Sequence, residues 1–369
     1  MTAPDRQEQP ILALGLMSGT SLDGVDAALI RTDGATVSER GGCLTLPYPP
    51  DLRGRLRAVL GGVGAVAAVE REVTLFHAEA VGQLLRQAQL PAAAVAVVGF
   101  HGHTILHRPK ERRSWQIGDG ALLAERVGIP VVNDFRSADV AAGGQGAPFV
   151  PIFHAALAAG LERPLAVLNL GGVANITWIG ENDSLLAFDT GPGNALIDDW
   201  ALHHTGQPVD AEGRLASAGL VQRAALEAFL AHPYFAQQPP KSLDRDDFRQ
   251  LAHRLTEGLS AANGAATLTA FTVAAVERAM PHLPGAPRRW LVCGGGRHNP
   301  RIMAGLREVL PAPVAAVEAV GWDGDALEAQ AFAFLAVRSL KGLPLSWPGT
   351  TGVAGPQCGG RLFRPTASV

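Results

Sequence analysis

Cysteine is scarce: Cys43, Cys293 and Cys358 are the three in 369 residues, odd in number and far apart. That argues against a disulfide framework or a thiolate metal site and leaves them as packing residues. There is no lysine- or arginine-rich tract, and 31 basic against 34 acidic residues give a formal net charge of −3, so nucleic acid is not an expected partner. The longest uncharged runs are broken by glycine and asparagine, and the opening MTAPDRQEQP is polar, without the apolar stretch of a signal peptide. The expectation is a cytoplasmic protein with no membrane association. Several enzyme signatures are missing too: Gly-x4-Gly-Lys-Ser/Thr, GxGxxG, GxSxG and HExxH. P-loop NTPase, protein kinase, Rossmann dehydrogenase, α/β-hydrolase and zincin readings therefore lose their motif support.

What is present suits a compact protein, with 47% hydrophobic and 18% charged residues over a length that favours two domains. The chain is organised around residues 11–32, ILALGLMSGTSLDGVDAALIRT. Two apolar runs flank a small, hydroxyl-rich turn, the pattern of a β-hairpin with a wide tip. Gly19 and Gly24 permit backbone conformations closed to other residues, and Thr20 and Ser21 add donors, so the tip can turn N–H groups onto an anion such as phosphate. An ordinary polar hairpin turn is the competing reading. A second strand, Gly-Gly turn and strand follows at 169–179, NLGGVANITWI. Two such devices, one per half, suggest an internal duplication.

Apolar positions from 63 to 89 fall at helical spacing. Residues 95–99 form a short buried strand that delivers FHGHTILHRP at its C-terminal end, where open α/β sheets carry their sites. The His-x-His-x3-His pattern could suggest a metal, but no acidic or thiolate cluster completes one, and substrate hydrogen bonding by His101 or Thr104 is preferred. Arg136, among small residues, can grip a carboxylate or phosphate at two points, or else pair with Asp134 or Asp139. Residues 141–148, rich in glycine, read as a hinge or lid. Asp189, at a strand end above Gly-Pro-Gly, is suited to take a proton from an attacking hydroxyl or water, though an Asp that merely caps the turn is the alternative. Residues 210–247 read as a surface excursion. Gly294, Gly295 and Gly296 let the backbone lie flat against a planar group such as a nucleoside, and Glu328 falls in the first turn of a helix over 326–340.

The motifs MSGTSLDGVD (17–26), GFHGHTILHRP (99–109), QIGDG (116–120), NDFRSADVAAGGQGAP (133–148), NLGGVANIT (169–177), FDTGPGN (188–194), CGGGRHN (293–299) and GWDGDALEAQAFA (321–333) run collinearly along nearly the whole chain. Together they resemble the anhydro-N-acetylmuramic acid kinase family. The resemblance implies a two-domain actin-like α/β fold of the sugar kinase, Hsp70 and actin type, with an interdomain nucleotide cleft. It implies domain I over 11–135, with the tail 341–369 returning to it, and domain II over 136–340. ATP with Mg²⁺ is the implied cofactor, contacted by Gly19, Thr20, Ser21, Leu22, Asp23, Gly24, Val25 and Asp26 and by Gly171, Gly172, Asn175, Gly294, Gly295 and Gly296. Asp189 corresponds to the general base, and Arg136, Glu328, Thr104, Gln116 and Asn133 are implied sugar contacts. The implied reaction opens a 1,6-anhydro ring with water and phosphorylates O6, giving N-acetylmuramic acid 6-phosphate in peptidoglycan recycling.

The chain departs from the pattern in two places. His103 stands where relatives often carry Gln, and Met17 stands where actin-like ATPases usually carry an acid. Mg²⁺ is therefore expected to be held by phosphates and water, with Asp23 or Asp26 behind, and no direct ligand is assigned. A homodimer is compatible with the sequence, which does not fix the assembly. Two rivals stand beside this reading: a conventional sugar kinase, in which Asp189 deprotonates an existing hydroxyl, and an ATP-driven switch or sugar sensor.

Overall fold

The computed structural model describes residues 9–366, apart from Thr20 and the side chain of Lys110. The chain forms two compact units, one running to Ala159 and resuming at Ala326, the other spanning Gly160–Asp325. Residues 136–159 and the helix Leu327–Leu340, expected in domain II, belong to the first unit.

The described strands are β1 (Ile11–Ser18), β2 (Gly24–Thr32), β3 (Val37–Pro47), β4 (Val97–Arg108), β5 (Arg113–Ile117), β6 (Val131–Asn133), β7 (Leu165–Leu170), β8 (Val173–Ile179), β9 (Leu185–Pro192), β10 (Trp290–Cys293), β11 (Val314–Ala316) and β12 (Arg361–Phe363). In the first unit the order is β3-β2-β1-β4-β6, extended by β12 on β6 and by β5 on β4. In the second it is β9-β8-β7-β10-β11. Each sheet pairs its first three strands antiparallel and then adds two parallel ones. The two sheets therefore repeat one five-strand plan, and in each plan the glycine turn joins the first strand to the second.

The helix Leu327–Leu340 is buried along almost its whole length and packs on β1, β2 and β4. Gly15 and Gly99 make that approach possible. A Cβ on Gly15 would fall 1.8 Å from the carbonyl oxygen of Ala329, and one on Gly99 would fall 2.0 Å from that of Phe332. A second apolar layer, including Val69, Val73, Val81 and Leu84 of the helix Val66–Gln87, covers the sheet's other hydrophobic residues, among them Leu14, Leu16, Val98 and Phe100.

Three local expectations need correction. The strand expected to end at residue 99 continues to Arg108 as β4, because β5 pairs along it and satisfies its backbone even where histidines replace aliphatic residues. β9 likewise runs through Asp189 to Pro192, so Asp189 lies within a paired strand. Residues 210–247 are not a surface excursion. Phe229, Tyr234 and Phe235 are buried with Phe248 and Phe271 in the second core, and Phe229 stacks on Phe271 at 4.0 Å.

Candidate functional site

In the first unit the turn between β1 and β2 is built by its own side chains. The Leu22 N–H donates to the Gly19 carbonyl (3.2 Å), and Asp23 Oδ1 accepts from Ser21 Oγ (2.7 Å) and the Gly24 N–H (3.0 Å). Thr20 lies outside the described residues. Leu22 adopts a φ of 58° and, like Val25, buries its side chain in the core, so these two can offer a ligand only backbone. Gly24 leaves no room for a side chain, since a Cβ would sit 2.5 Å from the Leu46 carbonyl oxygen. Asp26 Oδ1 accepts from Thr45 Oγ1 (2.6 Å). Just before the turn, the buried Ser18 Oγ bridges Tyr48 OH (2.8 Å) and His103 Nδ1 (2.9 Å).

The histidines of β4 hold other parts of the protein. His101 Nδ1 donates to the Gly102 carbonyl (2.9 Å), which leaves Nε2 as an acceptor for Arg136 Nε (3.2 Å) and NH2 (2.9 Å). His101 is thus a neutral positioning group, a correction to its expected direct role toward substrate. Burial, together with the Arg136 charge, holds its imidazole well below the usual histidine range, and burial brings His103 and His107 down to about 4. Among the described residues no group of three or more His, Cys, Asp or Glu side chains is arranged to hold a metal ion.

Arg136 also donates to the Gly146 carbonyl (2.5 Å) and lies over the Phe149 ring. Asp139, one of its expected partners, is buried and accepts instead from the Gly146 N–H (2.7 Å), Ser346 Oγ (2.5 Å) and Thr351 Oγ1 (2.6 Å). With the Gln145 N–H on the Thr351 carbonyl (2.7 Å), the glycine-rich segment expected to act as a hinge or lid is fastened at several points.

Thr104 and Gln116 face each other across the β4–β5 pair. Gln116 Nε2 donates to Thr104 Oγ1 (3.1 Å) and Ser114 Oγ (2.8 Å), and Ser114 Oγ also meets His107 Nδ1 (3.0 Å). A cavity of about 250 Å³ opens beside Ser114 and is lined also by Arg112, Arg113, Trp115 and Ser137. Asn133 Nδ2 donates to the Gly118 carbonyl (3.0 Å), at the turn after Gln116. Glu328 is half-buried in the first turn of its helix, as its position suggested.

In the second unit the glycine segments are drawn together. The Asn194 N–H donates to the Gly171 carbonyl (2.7 Å), the Gly193 N–H donates to the Gly172 carbonyl (3.0 Å), and Asn194 Nδ2 reaches the Leu170 carbonyl (2.8 Å). A Cβ on Gly193 would lie 2.2 Å from the Gly171 carbonyl oxygen, and one on Gly296 would lie 2.5 Å from Leu170 Cβ. Gly171, Gly172, Gly294, Gly295 and Gly296 thus form one surface with Asn194, which sequence reasoning missed. The buried Arg297 braces it, donating to the Gly294 carbonyl (3.1 Å) while paired with Glu318 and Asp325.

Asn175 and Asp189 are opposed across β8 and β9. Asp189 Oδ2 accepts from the Leu243 N–H (2.8 Å), and the Asp189 N–H donates to the Lys241 carbonyl (3.1 Å). A half-buried carboxylate fixed by a backbone donor is suited to accept a proton.

A profile of the family described as Anhydro-N-acetylmuramic acid kinase matches residues 11–365. The protein of that name from Paramagnetospirillum magneticum is 67% identical over 355 residues, which covers 96% of this chain and 100% of that protein. Its namesake from Rhodospirillum rubrum is 58% identical, over 97% of this chain and 96% of that one. That from Acidiphilium cryptum is also 58% identical, over 96% and 98%. No described helix is long and apolar enough to cross a membrane.

Proposed function

The chain belongs to the anhydro-N-acetylmuramic acid kinase family, and from that premise we propose how its residues divide the work. The protein is a kinase that transfers a phosphoryl group from ATP to an amino sugar, 1,6-anhydro-N-acetylmuramic acid. That sugar has no free 6-hydroxyl, because O6 is tied to C1. Water therefore attacks C1, the C1–O6 bond breaks, and O6 takes the γ-phosphoryl group. One water proton stays on the new C1 hydroxyl, the other passes to Asp189 and later to solvent, and ADP leaves.

The observation that carries this reading is the setting of Asp189, whose carboxylate is fixed by the Leu243 N–H opposite Asn175. The Gly19–Gly24 turn and the Gly171–Asn175 turn are each assigned a share of the triphosphate through their N–H groups, and Gly294–Gly296 is assigned the nucleoside. Val25 and Leu22, core residues by their side chains, serve only through backbone. Mg²⁺ arrives with ATP as part of the substrate. Asp23 and Asp26, each engaged with a neighbouring hydroxyl, suit water-mediated contact with it better than direct ligation. Arg136, oriented by His101, is assigned the lactyl carboxylate, and Glu328, Thr104, Gln116 and Asn133 are assigned the sugar's polar groups. The product, N-acetylmuramic acid 6-phosphate, belongs to peptidoglycan recycling in the cytoplasm.

The test is ADP release with 1,6-anhydro-N-acetylmuramic acid against N-acetylmuramic acid and N-acetylglucosamine, run in ¹⁸O-water with short reaction times. Turnover of the anhydro sugar with label on C1 is expected. Preference for a sugar with a free 6-hydroxyl, with no label, indicates a conventional sugar kinase. ATP turnover indifferent to every sugar indicates a switch.

A further inference from the structure

We propose that Tyr234 and Lys241 are positioning residues that fix the carboxylate of Asp189 through a closed ring of hydrogen bonds. The inference rests on the assignment of Asp189 as the base. The ring has three members. The Asp189 N–H donates to the Lys241 carbonyl (3.1 Å), Lys241 Nζ donates to the Tyr234 carbonyl (3.2 Å), and Tyr234 OH donates to the Asp189 carbonyl (2.5 Å). Two residues beyond Lys241, the Leu243 N–H reaches Asp189 Oδ2 (2.8 Å). The ring holds the backbone of Asp189 on both sides of its Cα, and the same segment sets the carboxylate.

Lys241 is the informative member. It is 7% exposed, and among the described residues no carboxylate lies within ion-pair distance of its ammonium, which stands 4.6 Å from the Tyr234 ring centroid and 5.6 Å from that of Phe188. Burial brings its pKa down to about 8. A charge so placed is costly, and methionine would fill the same space at less expense. What methionine lacks is a donor aimed at the Tyr234 carbonyl. The Tyr234 carbonyl also accepts from the Gln237 N–H (3.1 Å), but that bond stays within its own turn, whereas the lysine ties the same carbonyl to the segment that carries Leu243. The lysine closes the circuit, so displacement of any one member moves the others.

This arrangement makes a prediction that ordinary core packing does not. Small displacements of a base cost rate while leaving ground-state binding intact, and members of one circuit lose their effect together instead of independently. The experiment measures kcat and KM for both substrates in Tyr234→Phe, Lys241→Met and the double variant at a temperature where all are folded, with Asp189→Asn as reference. Each single variant is expected to lower kcat by roughly 10- to 100-fold, the range for a misplaced catalytic group. KM for ATP should stay within about twofold, and the double variant should be no slower than the slower single one. The proposal is overturned if both single variants keep kcat within about twofold of the parent while Asp189→Asn is inactive, or if the two losses multiply. Turnover retained by Asp189→Asn overturns the base assignment, and the ring's purpose with it.

Discussion

Arg136 is aimed by His101: two guanidinium nitrogens donate to one imidazole nitrogen, at 2.9 and 3.2 Å, while the other ring nitrogen donates to the Gly102 carbonyl. The pairing works only with a neutral imidazole whose proton sits on Nδ1. It links β4 to the segment after β6, and it gives the arginine a fixed direction. The guanidinium stays charged, and directed in this way it suits two-point contact with an anionic ligand.

Removing that charge is expected to be felt in sugar binding. Arg136→Ala should raise KM for the anhydro sugar by roughly 30- to 150-fold, equivalent to about 2–3 kcal/mol for charge-assisted hydrogen bonds, with KM for ATP little changed. His101→Leu leaves the guanidinium present but loosely directed, and a smaller rise of about tenfold is expected. Steady-state kinetics with each substrate varied in turn checks both. Equal effects on the two substrates would assign Arg136 to the nucleotide or to folding.

Asp189→Asn keeps shape and the Leu243 N–H contact but cannot accept a proton. Its kcat is expected to fall by roughly 10² to 10⁴, the range for a positioned acid–base group, with ATP affinity unchanged by calorimetry. Near-normal turnover would return Asp189 to the role of a turn residue.

Gly15 offers a test of the fold. A methyl group there would overlap the Ala329 carbonyl, at 1.8 Å, in a helix with no room to retreat. Gly15→Ala should cost at least about 3 kcal/mol in denaturant unfolding. Gly42, where a Cβ would meet its nearest neighbour at an ordinary 3.7 Å, serves as the control. An alanine there should change stability by less than about 1 kcal/mol.

Much of this architecture was legible because local pattern and global role agree. The glycine turns sit between apolar runs whose pairing they dictate, and Glu328 falls in the first turn of a helix whose apolar residues recur on every face, as a fully buried helix requires. What sequence could not show was how polar side chains are spent. Asp139 looked available to Arg136, yet its Oδ2 is taken by Ser346 and Thr351, more than 200 positions away, and its Oδ1 by the Gly146 N–H. His101 looked like a substrate ligand until both ring nitrogens found protein partners. Tyr234 and Lys241 lay in a stretch whose prolines and charges read as surface, and only long-range packing of Phe229, Phe248 and Phe271 turns it inward. No local period records a contact made by a single side chain across such a distance.

The same buried histidines fix how the first unit should respond to acid. His77, His103 and His107 titrate at about 4, His154 at about 3, and His101 well below its ordinary value, because burial disfavours the charged imidazole. Unfolding restores each to about 6.5. Between pH 4 and 6.5 the unfolded chain therefore binds more protons than the native one, and stability falls as pH falls, with a limiting slope of about 1.4 kcal/mol per pH unit for each histidine. All five lie in the first unit. The second unit carries an opposing group: burial raises Asp198 to about 7, so its contribution grows on acidification across the same window. Lowering the pH from 7.5 to 5 should accordingly loosen β4 and the helix Val66–Gln87 in hydrogen exchange, corrected for the intrinsic rate, while the second unit's strands keep their protection. Acidification should also weaken sugar binding once His101 takes a second proton, since Nε2 can then no longer accept from Arg136. Uniform loosening of both units, or no loosening of β4 at pH 5, would show that these imidazoles are not held neutral by the fold.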